Sequence, residues 1–198
     1  MSRIIPPFLI LVLTIFGCVM AEPSLAQQPS VAPLAAKPVP LPPLRHPPGD
    51  IPDTQIFVQY RSPLGFSLKV PEGWARRAMP EGATFSSVYD SVTVQVFVAP
   101  AAPSVASART DEVAALEASP AAVRIGKVAS VDLPSGHAVL ISFSSSSEPN
   151  PVTGKAIRLE NDRYLIWKSG RLATLTLSAP FGADNVDQWR LMSRSFQW

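Results

Sequence analysis

Few side chains of this chain have the types and spacing that chemistry needs. A hydrolase here would have to run on carboxylates such as Glu160 and Asp162 alone, sharing general acid and base work. His137, the only histidine of residues 54–198, sits at a strand start without a cysteine or a nearby carboxylate pair, a poor metal site or triad, and reads as a structural histidine. Ser144 to Ser147 lacks the glycine elbow that exposes a nucleophile, and reads as a solvated loop at a strand end. Pro151-Val152-Thr153-Gly154-Lys155 hints at a phosphate loop. The first glycine is missing, Ala156 stands where Ser or Thr belongs, and the segment joins strands, so it reads as a turn. The expectation is a non-enzyme with no cofactor and no metal.

The densest charged stretch has two readings. Arg158, Glu160, Asp162, Arg163, Lys168 and Arg171 fit a solvated hairpin whose ion pairs are worth about 0–1 kcal/mol each. Tyr164 and Trp167 stand among them, and arginine with aromatics is an interface composition. On that second reading Arg158, Arg163, Tyr164, Trp167, Lys168 and Arg171 form a partner-docking edge.

These residues are carried by a chain in three parts. Residues 1–26 read as an export signal, with Arg3 ahead of an apolar run from Phe8 to Met20. Two exits are open. Cleavage after Ala26 uses the small residues Ser24 and Ala26. Cleavage before Cys18 uses Ile15-Phe16-Gly17-Cys18, which resembles a bacterial lipobox and makes Cys18 the lipidation candidate. Either exit leaves no free thiol, which excludes disulfides and thiol catalysis in the mature protein.

Residues 27–53 are dense in proline and read as a disordered, semi-rigid polyproline spacer, His46 among them solvated. At about 3.1 Å per residue its reach is on the order of 80 Å. A formal net charge of +2 is too small to argue for nucleic acid as a partner.

Residues 54–198 have the size of one domain. Strands are expected at 55–60, 65–70, 84–89, 92–98, 123–131, 138–143 and 171–178. Segments 155–159 and 164–168 flank Glu160-Asn161-Asp162-Arg163, either a tight hairpin or a bulge in one long strand. Ser104 to Ala118 reads as a helix with Val105, Ala108, Val113 and Leu116 as its apolar stripe. A last helix is opened by Asp184 and buries Val186, Trp189, Met192 and Phe196. The fold class is α+β: a single antiparallel sheet flanked by helices.

One motif is familiar. Phe66-Ser67-Leu68-Lys69-Val70-Pro71-Glu72-Gly73-Trp74 is a strand ending in Pro-x-Gly-Trp. A later strand at Arg163-Tyr164-Leu165-Ile166, then Leu175 to Pro180 and a helix ending Ser195-Phe196 follow in order. Together they resemble the PsbP-like superfamily, in its bacterial exported branch of LpqN-type envelope lipoproteins. The resemblance implies an α/β/α sandwich whose members mostly bind macromolecules and do not catalyse; no family binding residue maps onto this chain. Trp74 reads as a core plug in either view. The expected function is therefore an exported, membrane-tethered, non-catalytic binding or assembly protein of the bacterial envelope, with an envelope protein as partner. A periplasmic small-molecule or lipid carrier is the alternative.

Overall fold

The computed structural model describes residues 38–45 and 48–198. Cys18, His46 and the segment from 1 to 37 lie outside the described residues. Along the chain run β1 (Phe57–Arg61), β2 (Ser67–Pro71), β3 (Ala75–Met79), β4 (Gly82–Ser86) and β5 (Ser91–Val98). Then come α1 (Val105–Ala108), a π turn (Arg109–Val113), α2 (Ala114–Ala118), β6 (Arg124–Leu133), β7 (Gly136–Ser146), β8 (Arg158–Lys168), β9 (Arg171–Pro180) and α3 (Val186–Ser195). The structure is mostly β.

Seven strands form one antiparallel sheet in the order β3-β4-β5-β9-β8-β7-β6. Side-chain alternation gives that sheet two apolar faces. Val92, Val94, Ile166, Leu175 and Leu177 point to one, where Met192 and Phe196 from the α3 end pack on them. Val139, Ile141, Phe143 and Leu165 point to the other, against Ala108 and Val113.

The expected single sheet is corrected. β1 and β2 pair only with each other, as a separate two-stranded sheet. Phe66, Leu68 and Val70 are buried against the α3-side core, so the hairpin lies on a face and does not extend the sheet. Beyond its hairpin partner, β2 meets the chain just after α3: Ser67 and Gln197 exchange both backbone hydrogen bonds at 2.8 Å. Trp74 packs half-buried at the margin of the same core.

The helix over 104–118 is interrupted for a legible reason. Ala108 and Val113 are five residues apart, too far to share a face of a regular α-helix. The π turn at Arg109–Val113 absorbs the extra residue, and both side chains are buried on the sheet. Ser104 and Ser107 cap α1 reciprocally, each hydroxyl accepting the other's backbone N–H at 3.0 Å.

The last helix differs from its expected start. The residue at its N-cap is Asn185, whose side chain makes no capping bond, and Val186 is 63% exposed where burial was expected. Gln188 is buried instead, because its amide donates to the Ile51 carbonyl at 3.0 Å and to Asp53 at 3.1 Å. Asp53, expected within the proline-rich spacer, thus contacts α3. Ile51 belongs to the core, and its N–H donates to Asn185 Oδ1 at 2.7 Å. Replacing Ile51 by alanine is expected to cost about 2–4 kcal/mol, read from urea unfolding of the full chain. A loss below about 0.5 kcal/mol would mean that Ile51 is not part of the core.

Candidate functional site

α3 covers only part of its face of the sheet. The rows formed by β6, β7 and β8 beyond it floor a cleft of about 780 Å³. Strand alternation decides the floor: Arg158, Glu160, Asp162 and Tyr164 of β8 all point into it, beside Ser142 and Ser144 of β7. Trp189, Arg190 and Arg194 of α3 form the wall, and Arg124 of β6 stands on the opposite rim. Toward the β6–β7 turn the lining becomes apolar, with Val131, Leu133 and Leu140.

The polar groups are held unequally. The Arg158 guanidinium sits 3.9 Å from the centre of the Phe181 ring and donates to Ser144 Oγ at 3.1 Å. Its Nε is buried with no hydrogen-bond acceptor. Asp162 accepts a 2.6 Å hydrogen bond from Ser142; burial raises its carboxyl above the usual range, opposed by Ser142 and by the charge of Lys127. Burial likewise raises Glu160, opposed by the Gly182 N–H and reinforced by the Asp162 charge. The Tyr164 hydroxyl is also raised, chiefly by burial. Among the described residues, Asp162 accepts from the Ser142 hydroxyl and Glu160 from the Gly182 backbone N–H.

Several sequence expectations are relocated. Glu160 to Arg163 is neither a hairpin nor a bulge, since β8 pairs residue for residue with β7 and β9 straight through it. Ser144 is buried inside β7, not in a solvated loop, because the Arg158 side chain lies across it. The six docking candidates do not share one surface, and β8 is an inner strand. Arg158 and Tyr164 line the cleft. Arg163 and Trp167 point to the other face, where Arg163 pairs with Glu112 of the π turn and Trp167 Nε1 donates to the Ala99 carbonyl at 2.9 Å. Arg171 donates to the Leu64 carbonyl at 2.7 Å and lies over Trp198, while Lys168 is exposed. His137 pairs with Asp132 at the exposed β6–β7 turn. Pro151 to Lys155 is a turn, with Asn150 Oδ1 accepting the N–H groups of Val152 and Thr153.

The back corner of the cleft carries a titrating group. Asn185 lines it and donates to Asp90, whose carboxyl also accepts from Ser87 at 2.9 Å. Burial pushes Asp90 up to about 6, with Ser87 and Asn185 opposing and the Asp50 charge adding. The folded state thus holds a proton that the unfolded chain, near 3.9, has released. Stability is expected to fall as pH rises from about 4 to 6, by on the order of 2–3 kcal/mol, and then to level off. Urea midpoints across that window check this. Asp90→Asn should flatten much of the slope, and an unchanged slope in the variant would reject the assignment.

No family model matches the chain, and no curated protein matches it. The solution structure of cyanobacterial PsbP (CyanoP) from Synechocystis superposes with a TM-score of 0.52 at 13% identity, over 75% of this chain and 97% of that one. The fold is PsbP-like. Two other solved structures are more distant. A Bacteroides thetaiotaomicron protein has 10% identity and a TM-score of 0.45, covering 67% of this chain and 44% of that one. A Pseudomonas aeruginosa protein of unknown function has 14% identity and a TM-score of 0.42, covering 68% and 91%. At such identities the likeness is one of architecture alone. Within this PsbP-like fold the cleft has to be read from its own residues. Among the described residues no helix is long and apolar enough to cross a membrane.

Proposed function

We propose that the chain is an exported, membrane-tethered, non-catalytic binding protein of the bacterial envelope, from the lipoprotein branch of the PsbP-like fold, and that the α3 cleft receives its ligand. One observation carries this: a cleft of about 780 Å³ with an apolar end and a polar end. Ligand sites in proteins span roughly 300–1,000 Å³ and combine apolar walls with a few placed polar groups. The leader, the candidate lipid site at Cys18 and the proline-rich spacer support a domain held at a membrane face.

A carrier of a small ligand fits better than assembly through the β8 side chains. Of the six candidate docking residues, Tyr164 is buried, Arg163, Trp167 and Arg171 are engaged inside the domain, and Arg158 faces the cleft. Native mass spectrometry of the protein purified from its own envelope should show a bound mass that disappears on organic extraction. A clean apo mass would remove the reading. The intact mass of the mature N-terminus tests the tether: a diacylated Cys18 supports it, and a free Gln27 replaces it with a soluble periplasmic protein.

A further inference from the structure

We infer that the ligand of the cleft is an anionic amphiphile, its carboxylate or phosphate head against Arg158 and its apolar body along Val131, Leu133 and Leu140. The inference rests on the binding reading above and names the chemical class of what is bound.

Arg158 is the first ground. A guanidinium has five N–H donors and no acceptor, and it stays charged throughout the physiological range. Here one side-chain donor bonds Ser144, while Nε is buried without an acceptor. Among the described residues no carboxylate lies within 4.0 Å of Arg158. Its counterpart on the other face, Arg163, is paired with Glu112. Nε is closed off from the cleft, but three N–H donors on the two terminal nitrogens remain for an acceptor that enters it. Phe181 fixes the cation through its ring face, and a cation held that way keeps in-plane donors for a planar or tetrahedral oxyanion.

The balance of charge is the second ground. Four arginines line the cleft against two carboxylates. Arg190 is matched by Asp187 at 2.9 Å, and Asp162 is held by Ser142 and offset by Lys127. Glu160 opposes an incoming anion, so Arg124, Arg158 and Arg194 leave the polar end with an excess of positive charge.

Size and polarity are the third. A bare phosphate would leave most of 780 Å³ empty. Val131, Leu133 and Leu140 are half-buried at the margin of the core, and Trp189 stands over them as an apolar wall. A head with a hydrocarbon body matches both ends, and each methylene placed there adds about 0.8 kcal/mol to binding in water.

Isothermal titration of the full chain tests the inference with probes kept below their micelle concentrations: dodecanoate, dodecyl phosphate, inorganic phosphate, dodecyl maltoside and dodecyltrimethylammonium. The two anionic amphiphiles should bind at least about tenfold more tightly than the neutral and cationic ones. Arg158→Gln should weaken the anionic probes roughly ten- to a hundredfold and leave the neutral probe unchanged. Arg158→Lys should retain part of the affinity, and Arg109→Gln, exposed on the π turn, should retain all of it. Circular dichroism confirms that each variant is folded; should Arg158→Gln not fold, Ser144→Ala and the probe series still decide.

Equal binding of all dodecyl probes overturns the anionic head and leaves the cleft a binding site. Inorganic phosphate binding as tightly as dodecyl phosphate makes it a free-anion site and overturns the amphiphile. If no probe binds but native mass spectrometry finds a ligand, the class is wrong and the proposed function survives. If neither finds one, both fail.

Discussion

Replacing Phe196 by alanine is expected to remove about 3–5 kcal/mol of folding free energy. Phe196 is fully buried just beyond α3, its ring stacked on Phe66 at 5.8 Å between centroids and edge-on to Trp198 at 5.6 Å. Phe66 precedes β2, so this contact joins the small hairpin to the end of the helix over one core. Its truncation opens a cavity that is hard to close, because bonds on either side of it fix the spacing: Ser67 with Gln197, and the Lys69 N–H to Ser195. Against a typical total of about 5–15 kcal/mol, that is a large fraction. Urea unfolding should show a lower midpoint at unchanged slope. Phe66→Ala and Phe196→Ala together should cost less than the sum of the singles, since they empty one site. A loss under about 1 kcal/mol, or strict additivity, would mean that hairpin and helix are not one packed layer.

Gly82→Ala should be comparably severe for a different reason. A Cβ at Gly82 would stand 1.8 Å from the Val94 carbonyl oxygen and 2.8 Å from its carbon. Both are backbone atoms, so no side chain can swing aside. Nor can β5 retreat, because Val94 itself is fully buried between β4 and β9. The added methyl must separate two paired strands, at a cost of about 3 kcal/mol or more. Gly136→Ala is the control. Gly136 sits at φ +117 with nothing within 4 Å, so its substitution meets conformational strain of roughly 1–2 kcal/mol and no collision. Thermal unfolding of the two variants should rank them clearly. Equal losses would show that the strand spacing at Gly82 is softer than the geometry states.

Much of the architecture was legible because it follows local periodicity. Val92 and Val94 announce β5 by alternation, although the strand outruns its core and leaves Val98 90% exposed. Pro71 and Gly73 mark the end of β2 and the bend before Trp74, with Gly73 at φ +83. The PsbP-like architecture follows from the order of such motifs. What stayed hidden is long-range. The centre of β8 looks like a turn because Glu160 to Arg163 is polar throughout, yet its polarity has two destinations. Glu160 and Asp162 face the cleft, while Asn161 bonds Ser145 and Ser178 and Arg163 bonds Thr176 on the other side. The site was hidden for the same reason. Its parts come from β6, β7, β8 and α3, and no one stretch of chain carries a signature of it. In retrospect the signal was a polar patch at one end of a sheet face that is otherwise apolar.

β3 shows none of the apolar alternation that marks the inner strands. Ala75–Met79 is nearly all exposed and includes Arg76 and Arg77 at the rim of the seven-stranded sheet. At the opposite rim, β6 shifts register between Ile125 and Lys127 and carries Arg124 and Lys127. Open sheets end in rows of unpaired amides that invite another chain to add a strand. A short cationic strand at one rim and a bulged, cationic one at the other resist that, since like charges would meet across any edge-to-edge joint. The features that make β3 unreadable as a strand are those that keep the sheet from growing into a fibre.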